Sequence, residues 1–279
     1  MNLTKQDFDF LRDYIKKNCG IALKEDKKYL IHQRLEPLLK SYHINSFSQL
    51  TSQLMRNNSY QLREDIILAM TTNETSFFRD RHPFETFEKH VLEKFKKDIH
   101  QQKGKIVRIW SAGSSTGQEA YSIAMLIYEF VEQNKFEGIS LNNFNIAASD
   151  ISTRALNKAK SASYYDAEVN RGLSAERKRK YFKKIDKHWQ LEPHIRNMVR
   201  FYQLNFIESL SRMGTFDMIF CRNVLIYFDS SMKTKIIQQF HRMLIPTGFL
   251  ILGAMENAHN ESDLFLPVRH GSTLLYQKK

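Results

Sequence analysis

The sequence predicts a doubly wound α/β fold with a mostly parallel sheet, preceded by a small all-α module. Three observations lead to this expectation. Short apolar runs alternate with amphipathic helical stretches from about residue 106 onward, as in an open α/β sheet. A turn with two glycines separates the first of these runs from a helix, and the first seventy residues show only helical periodicity.

Composition and charge restrict the class of protein. The chain has 279 residues, of which 42% are hydrophobic and 26% are charged, and a net charge of +12. No apolar run approaches the roughly 20 residues of a membrane span, and the first ten residues lack the apolar core of a signal peptide. We therefore expect a cytoplasmic protein that does not insert into membranes. The two cysteines, Cys19 and Cys221, have no metal-ligand spacing, so we expect reduced thiols and no metal site.

The N-terminal module is expected to contain four helices. They run from a cap at Thr4 to about Asn18, over residues 27–41, from Ser46 onward and over residues 61–70. Thr4 and Asp7 have the spacing of a capping box, and Gly20 is the expected stop signal of the first helix. Pro37 lies inside the second helix, where it removes one hydrogen bond and is expected to bend the helix. A polar linker with paired phenylalanines follows at residues 71–84, and we expect it to be a docked hinge or part of a site.

Strands and helices alternate in the rest of the chain. The predicted strands cover residues 106–111, 144–149, 199–203, 216–221, 249–252 and 272–276. The predicted helices cover residues 84–99, 118–134, 231–244 and a stretch from Thr153. No strand of the main sheet is recognisable between residues 161 and 200, and residues 174–200 carry nine Lys and Arg against three Asp and Glu. We interpret this segment as a small basic insertion.

The glycine-containing turn at residues 112–117 favours a nucleotide-type ligand. A strand, a turn and a helix in this order let the backbone approach a ligand, because glycine has no side chain. The turn is not the dinucleotide pattern, since it holds only two glycines, and no Gly-Lys-Ser/Thr follows it as in a P-loop. An adenosine-type ligand without a polyphosphate remains, which indicates S-adenosylmethionine. A purely structural turn is the alternative.

Polar residues follow two further strands of the expected sheet. Asp150 ends the strand after the turn, where a carboxylate can hold ribose hydroxyls, although an N-cap for the next helix is the alternative. Arg222, Asn223 and Tyr227 follow the strand at residues 216–221. Three strand ends that meet on one rim are typical of a ligand crevice in this fold. Taken alone, Tyr227 would more often be a packed aromatic residue.

Four segments in this order and spacing, behind a helical module, resemble the chemotaxis receptor methyltransferase (CheR) family. They are TTNETSFFRD, WSAGSSTGQEAYSIAM, AASDISTRALNKA and FDMIFCRNVLIYF, and the resemblance covers nearly the whole chain. It implies a Rossmann-like, S-adenosylmethionine-dependent methyltransferase domain with a small N-terminal all-α domain and a small β-subdomain insertion. The implied reaction is methyl esterification of glutamate side chains on the cytoplasmic helices of chemoreceptors (methyl-accepting chemotaxis proteins), with S-adenosylhomocysteine as the product.

Domain boundaries follow from the resemblance together with the helical pattern. We expect a helical domain at residues 1–72, a linker that contributes to the cofactor site at residues 73–90, and a methyltransferase domain at residues 91–279. The basic insertion is expected to form a subdomain at about residues 162–200.

The resemblance also implies the residues of the site. Those expected to contact the cofactor are Asn73, Thr75, Arg79, Glu119, Asp150, Asn205, Phe206, Arg222 and Asn223. Among them, Glu119 would meet the amino group of the cofactor, Asp150 its ribose, and residues 205–206 its adenine. Arg79 and Tyr227 would flank the methyl transfer as catalytic residues.

Partner binding is expected on the second helix. Lys27, Arg34 and Lys40 would meet the acidic helices of the receptor through charge complementarity. An ordinary solvated helix face is the alternative. Family members that tether to a receptor's C-terminal pentapeptide use a glycine-containing loop in the β-subdomain, and the stretch after Phe182 is short and lacks glycine. We therefore expect no pentapeptide tethering.

Two other functions remain open at this point. An RNA methyltransferase would also explain the net charge and the basic insertion. However, the sequence after residue 216 lacks the Asn/Asp-Pro-Pro-aromatic loop that is used on exocyclic amines. A non-catalytic, cofactor-binding signalling adaptor is disfavoured because Arg79 and Tyr227 are both present. We expect chemoreceptors rather than nucleic acid as partners.

Overall fold

Four helices build the N-terminal module in the computed structural model, which describes residues 1–56 and 59–279. They are α1 (Lys5–Cys19), α2 (Lys28–Ser41), α3 (Phe47–Arg56) and α4 (Tyr60–Met70), with a 3₁₀ turn (Glu25–Lys27) before α2. Their apolar faces enclose a core of their own, in which Leu11, Ile31 and Phe47 are completely buried. The predicted helices of this module are confirmed, with small differences at their ends.

Capping fixes both ends of α1. The hydroxyl of Thr4 accepts a hydrogen bond from the N–H of Asp7 at 3.1 Å, and the N–H of Thr4 donates to the Asp7 carboxylate at 3.3 Å. The predicted capping box is therefore confirmed. Asp7 is buried and also accepts hydrogen bonds from the hydroxyls of Ser48 and Thr51 on α3. Gly20 ends the helix in the left-handed conformation, with φ of 78°.

Two sheets organise the rest of the chain. Its strands are β1 (Val107–Ala112), β2 (Phe144–Asp150), β3 (Ser163–Tyr165), β4 (Phe182–Ile185), β5 (His188–Leu191), β6 (Val199–Gln203), β7 (Phe216–Cys221), β8 (Leu244–Leu252), β9 (Phe265–His270) and β10 (Thr273–Lys278). Seven of them form one sheet in the order β6-β2-β1-β7-β8-β10-β9. The first five of these are parallel, and the pairs of β10 with β8 and β9 are antiparallel. The prediction of a doubly wound, mostly parallel sheet is confirmed.

Helices connect the strands and pack around the two sheets. They are α5 (His82–Thr86), α6 (Leu92–Gln101), α7 (Gln118–Asn134), α8 (Thr153–Ser161), α9 (Asp166–Asn170), α10 (Ala175–Tyr181), α11 (Pro193–Arg196) and α12 (Ser230–Met243). A π-helical turn (Phe87–Val91) joins α5 to α6, so the helix predicted at residues 84–99 is continuous and begins two residues earlier. Short 3₁₀ turns lie at Lys135–Glu137, Leu141–Asn143, Ser211–Met213, Leu225–Tyr227 and His259–Glu261. None of the described helices has the length and apolar character needed to cross a lipid bilayer.

The register of the parallel strands determines which loops become neighbours. Ala112 at the end of β1 lies opposite Ser149 near the end of β2, and Ser111 lies opposite Phe220 on β7. The carboxyl ends of these three strands therefore meet at one edge of the sheet. The residues that follow them are placed side by side.

The basic insertion contains the second sheet. Its three antiparallel strands have the order β3-β5-β4. Periodicity shows no strand in this segment, because the strands have only three or four residues and two of these are exposed lysines. The resemblance to the family implied a β-subdomain here, and the structure confirms it. Asp186 and Lys187 connect β4 to β5, with Asp186 in the left-handed region at φ of 50°.

The last strands differ from the prediction. β8 begins at Leu244 rather than at residue 249, because Pro246 and Gly248 conceal its first half in the sequence. β9 was not expected, since it contains Pro267, and proline is excluded from the middle of a sheet. The structure places β9 at the edge of the sheet, where proline is tolerated.

Candidate active site

A cavity opens at the carboxyl ends of β1, β2 and β7. Its walls come from the loops after β1, β2, β6 and β7, the connection after α1, and the segment between α4 and α5. The residues predicted to contact a cofactor all line it: Asn73, Thr75, Arg79, Glu119, Asp150, Asn205, Phe206, Arg222 and Asn223. Tyr227 lines the same cavity. The fold thus brings together residues from five separate sequence segments.

The turn after β1 packs closely against the loop after β7. Gly113 has φ of 81°, and a Cβ at this position would lie 2.4 Å from the side chain of Val224, so only glycine fits. The N–H groups of Gly113 and Ser114 both donate to the carbonyl of Ser149 at 2.8 Å. These bonds hold the turn against the end of β2, next to Asp150.

Backbone donors fix the carboxylate of Asp150. Its Oδ2 accepts a hydrogen bond from the N–H of Ser115 at 2.8 Å, and its Oδ1 accepts one from the N–H of Ser152 at 2.8 Å. Burial raises the pKa of Asp150, and these donors oppose the rise. The N-cap of α8 is Ser152, whose hydroxyl accepts from the N–H of Ala155, so Asp150 is not the capping residue. A carboxylate offers about four acceptor positions, which leaves capacity on Asp150 for a ligand.

A buried ion-pair cluster lies beside the cavity. Glu119, at the start of α7, accepts a hydrogen bond from the hydroxyl of Ser111 at 2.8 Å and pairs with Arg222 at 3.0 Å. Burial raises the pKa of Glu119, and the charge of Arg222 opposes the rise. The side chain of Arg222 is only 2% exposed, and it also binds the carboxylate of Asp80 and the carbonyl of Arg79, both at 2.7 Å. Arg222 therefore ties β7 to the segment before α5 and is buried rather than open on the rim.

An aromatic pair anchors the segment between α4 and α5. Phe77 and Phe78 are buried, and the ring of Phe77 packs edge-on against Tyr164 and Phe182 of the insertion. The N–H of Phe78 donates to the hydroxyl of Ser122 on α7 at 3.0 Å. This segment is therefore docked by its aromatic pair and is also a wall of the cavity.

Backbone strain is concentrated next to this anchor. Phe78, Asp80 and Arg81 have φ values of 47°, 66° and 47°, although none of them is glycine. Such conformations cost about 1–3 kcal/mol each and persist only where the surroundings enforce them. Arg79 lies inside this turn, and its Nη1 donates to the carbonyl of Glu74 at 3.2 Å. The strained turn thus determines where the guanidinium of Arg79 enters the cavity.

The connection after α1 completes the cavity. Cys19 and Ile21 line it, and the amide of Asn205 donates to the carbonyl of Asn18 at 2.7 Å. Burial raises the pKa of Cys19 to about 11, which keeps the thiol neutral. Sequence reasoning misses both lining residues, because their position depends on how the helical module docks. The left-handed Gly20 between them is the one signal that marks this connection as tightly packed.

Comparison with known proteins identifies the family. The chain matches the models "CheR methyltransferase, all-alpha domain" over residues 6–71 and "CheR methyltransferase, SAM binding domain" over residues 73–272. This chain belongs to the CheR methyltransferase family. It is therefore an S-adenosylmethionine-dependent methyltransferase of chemotaxis, as the sequence resemblance predicts.

Curated relatives match over the full length of this CheR chain. It is 39% identical over 280 residues to chemotaxis protein methyltransferase 1 of Pseudomonas aeruginosa and to chemotaxis protein methyltransferase Cher2 of Pseudomonas putida, with all of each chain covered. It is 37% identical over 281 residues to chemotaxis protein methyltransferase 1 of Vibrio cholerae, which covers all of this chain and 99% of the relative.

The cavity of this CheR chain fits S-adenosylmethionine. Within residues 1–56 and 59–279, the buried Oδ1 of Asn223 has no hydrogen-bond partner, which is typical of an atom that meets a ligand. In this fit, the carboxylates of Glu119 and Asp150 would meet the positive amino group and the ribose hydroxyls of the cofactor, and Phe206 would offer an apolar ring to its adenine.

Arg34 is the first of three basic residues that were predicted to bind substrate, and the structure places it outside the cavity. Its Nη1 donates to the carbonyl of Met70 at 2.6 Å, and its Nη2 donates to the hydroxyl of Thr72 at 2.9 Å. The guanidinium thus satisfies a carbonyl at the C-terminal end of α4. It also holds the segment that leads to Asn73 and Thr75.

Lys27 and Lys40 lie elsewhere on the surface of the module. Lys40 pairs with Glu36 at 3.2 Å, and Lys27 pairs with Asp26 at 3.3 Å. Six residues separate Lys40 from Arg34, which places the two side chains about 120° apart around the axis of α2. Helical phase therefore separates Lys40 from Arg34, whereas Lys27, seven residues before Arg34, lies in the turn before α2 at nearly the same phase as Arg34.

Proposed function

We propose that this chain esterifies glutamate side chains in the cytoplasmic helices of chemoreceptors and releases S-adenosylhomocysteine. The observation that carries the proposal is the position of Arg79 and Tyr227, which line the same cavity as the residues expected to hold the cofactor. The names of the relatives, chemotaxis protein methyltransferases, support receptors of the chemotaxis system as substrates.

The proposed reaction needs no general base. A glutamate carboxylate has an ordinary pKa of about 4.3 and is already ionised near neutral pH. The cofactor supplies a methyl group on a positively charged sulfur. An oxygen–carbon bond forms while the carbon–sulfur bond breaks, the electron pair stays on sulfur, and the two opposite charges are neutralised. Placement of the carboxylate is therefore the main task of the protein.

Arg79 and Tyr227 are the residues that we propose for this placement. Arg79 donates one hydrogen bond to the carbonyl of Glu74, and its remaining donors can hold a carboxylate in a two-bonded geometry. The hydroxyl of Tyr227 can donate a hydrogen bond to the same carboxylate. Arg222, in contrast, is occupied by Asp80 and Glu119. We assign Arg222 to holding the cavity together and Arg79 to the transfer.

We further propose that the chain reaches its receptors without a pentapeptide tether. Asp186 and Lys187 form a two-residue connection between β4 and β5 that contains no glycine, unlike the tethering loop of the family. Titration calorimetry with a receptor's C-terminal pentapeptide is expected to show no binding. A specific micromolar complex would contradict this part of the proposal.

Transfer of a labelled methyl group tests the function directly. We expect label in the cytoplasmic fragment of a chemoreceptor and release of labelled methanol in alkali, because carboxylate esters hydrolyse there. Label in RNA that survives alkali as a methylated base would favour the RNA methyltransferase. Cofactor binding without transfer to receptor or RNA would favour a non-catalytic adaptor.

A further inference from the structure

Glu256, in the loop after β8, binds four backbone N–H groups with one carboxylate. Its Oε2 accepts from Gly253 at 2.7 Å and from Asn223 at 2.8 Å. Its Oε1 accepts from Val224 at 2.8 Å and from Ile226 at 3.2 Å. Because a carboxylate offers about four acceptor positions, these donors saturate it.

Three of the four donors belong to the loop after β7. This loop includes Asn223, whose φ of 60° lies in the left-handed region, and it leads to Tyr227. Its N–H groups point away from the ladder of the sheet and need acceptors. A charged carboxylate satisfies them with hydrogen bonds that are stronger than neutral ones. The conformation of this loop therefore depends on Glu256.

Gly253 makes the approach of this carboxylate possible. A Cβ at this position would lie 2.7 Å from Oε2 of Glu256 and 2.8 Å from the nitrogen of Asn223. Both contacts are shorter than a real Cβ can make with these atoms. Gly253 and Glu256 thus act together to hold the loop after β7.

We propose that Glu256 is a positioning residue for methyl transfer. It sets the place of Tyr227, which lines the cofactor cavity, and acts on the reaction only through the hydroxyl of that residue. This inference rests on the proposed function for the transfer step. A carboxylate that merely stabilised the fold would affect the free energy of unfolding and not the action of Tyr227.

The decisive variant is Glu256→Gln, which keeps the volume but replaces one accepting oxygen with an amide that donates. We expect kcat for receptor methylation to fall about tenfold or more, since misplacement by about 1 Å costs up to ~100-fold. Glu261→Gln is the matched control. Glu261 is also buried and accepts from the hydroxyl of Thr234 at 2.6 Å, a bond that glutamine can retain, so its kcat is expected to stay within about twofold.

Combination with Tyr227→Phe separates positioning from stability. If Glu256 acts through the hydroxyl of Tyr227, Glu256→Gln lowers kcat much less in the Tyr227→Phe background than in the wild type. The proposal is overturned if Glu256→Gln lowers kcat by the same factor in the wild type and in Tyr227→Phe. It is also overturned if folded Glu256→Gln has the kcat of the wild type.

A second variant covers the case in which Glu256→Gln does not fold. Gly253→Ala keeps the charge and displaces the carboxylate, so the same dependence on Tyr227 is expected. Unchanged kcat in folded Gly253→Ala would contradict the inference. Wild-type protein that transfers no methyl group to receptors would refute the proposed function, whereas active wild type with unaffected variants refutes only the role of Glu256.

Discussion

The cofactor cavity and helix α2 show two different ways in which charged residues are placed. In the cavity, Glu119 and Asp150 come from distant segments and meet because parallel strands end at one edge of the sheet. On α2, Arg34 and Lys40 are close in sequence, yet they point in different directions and each binds a group of the module itself. Sheet topology is therefore a better guide to a shared site than closeness on a helix.

The largest effect is expected at Arg79, and it tests whether the cavity performs the transfer. Arg79→Ala should lower kcat about 100-fold or more, because the acceptor carboxylate loses its orienting group. Arg81→Ala is the matched control, since Arg81 lies in the same strained turn and is exposed. Steady-state methylation rates and thermal midpoints of both variants check this expectation. Wild-type turnover in folded Arg79→Ala would assign the transfer to other residues.

Asp150→Asn tests the cofactor side of the cavity. The amide nitrogen would face the N–H of Ser115 or Ser152, and the charged acceptor for the ligand would be lost. Loss of a hydrogen bond to a charged group costs about 1.5–3 kcal/mol, so the Kd for S-adenosylhomocysteine should rise roughly 10- to 100-fold. Calorimetry in the absence of receptor measures this Kd. A Kd within twofold of the wild-type value would show that Asp150 does not hold the ligand.

A fall in pH should weaken the binding of S-adenosylhomocysteine by a smaller factor than Asp150→Asn does. Burial raises the pKa of both Asp150 and Glu119, so these groups take up protons at a higher pH than ordinary carboxyl groups. The protonated forms lose their charge and part of their acceptor capacity. The Kd for S-adenosylhomocysteine should therefore increase as the pH falls from about 7 to about 5. Calorimetry along this pH series checks the direction, and tighter binding in acid would contradict it.

The smallest effect is expected for substitutions on α2, and it distinguishes the role of Arg34 from that of Lys40. Arg34→Ala should raise the Kd for S-adenosylhomocysteine about threefold to tenfold in the absence of receptor. The segment before Asn73 loses two hydrogen bonds of about 1 kcal/mol each, and only part of this loss is transmitted to the cavity. Lys40→Ala should leave this Kd unchanged. If Arg34 served only to dock receptors, its substitution would change the KM for receptor and not the affinity for the cofactor product.

The sequence predicts those features of the molecule that depend on residues close together in the chain. The position of Asp150 follows from a strand that ends in a carboxylate after a glycine-containing turn. The partners of Arg222 do not follow, since Asp80 and Glu119 reach it only through tertiary packing. Glu256 was missed because its partners are backbone groups, which leave no trace in residue types beyond the glycine three positions before it.

Some elements of the fold likewise could not be predicted from sequence patterns. The parallel strands are apolar runs that a pattern reveals, whereas β9 carries Pro267 and depends on pairing with β10. The π-helical turn between α5 and α6 likewise has no signature in the periodicity. Such features are decided by packing against the finished sheet.

The dependence of kcat on pH tests the central claim, which is that transfer relies on the placement of an already ionised carboxylate. At saturating cofactor and receptor fragment, the account predicts a constant kcat from about pH 6 to about pH 9, because an ordinary glutamate is ionised throughout this range. Thermal midpoints along the series confirm that the protein stays folded. A kcat that falls with a single protonation inside this range would contradict the account, since it would require a general base.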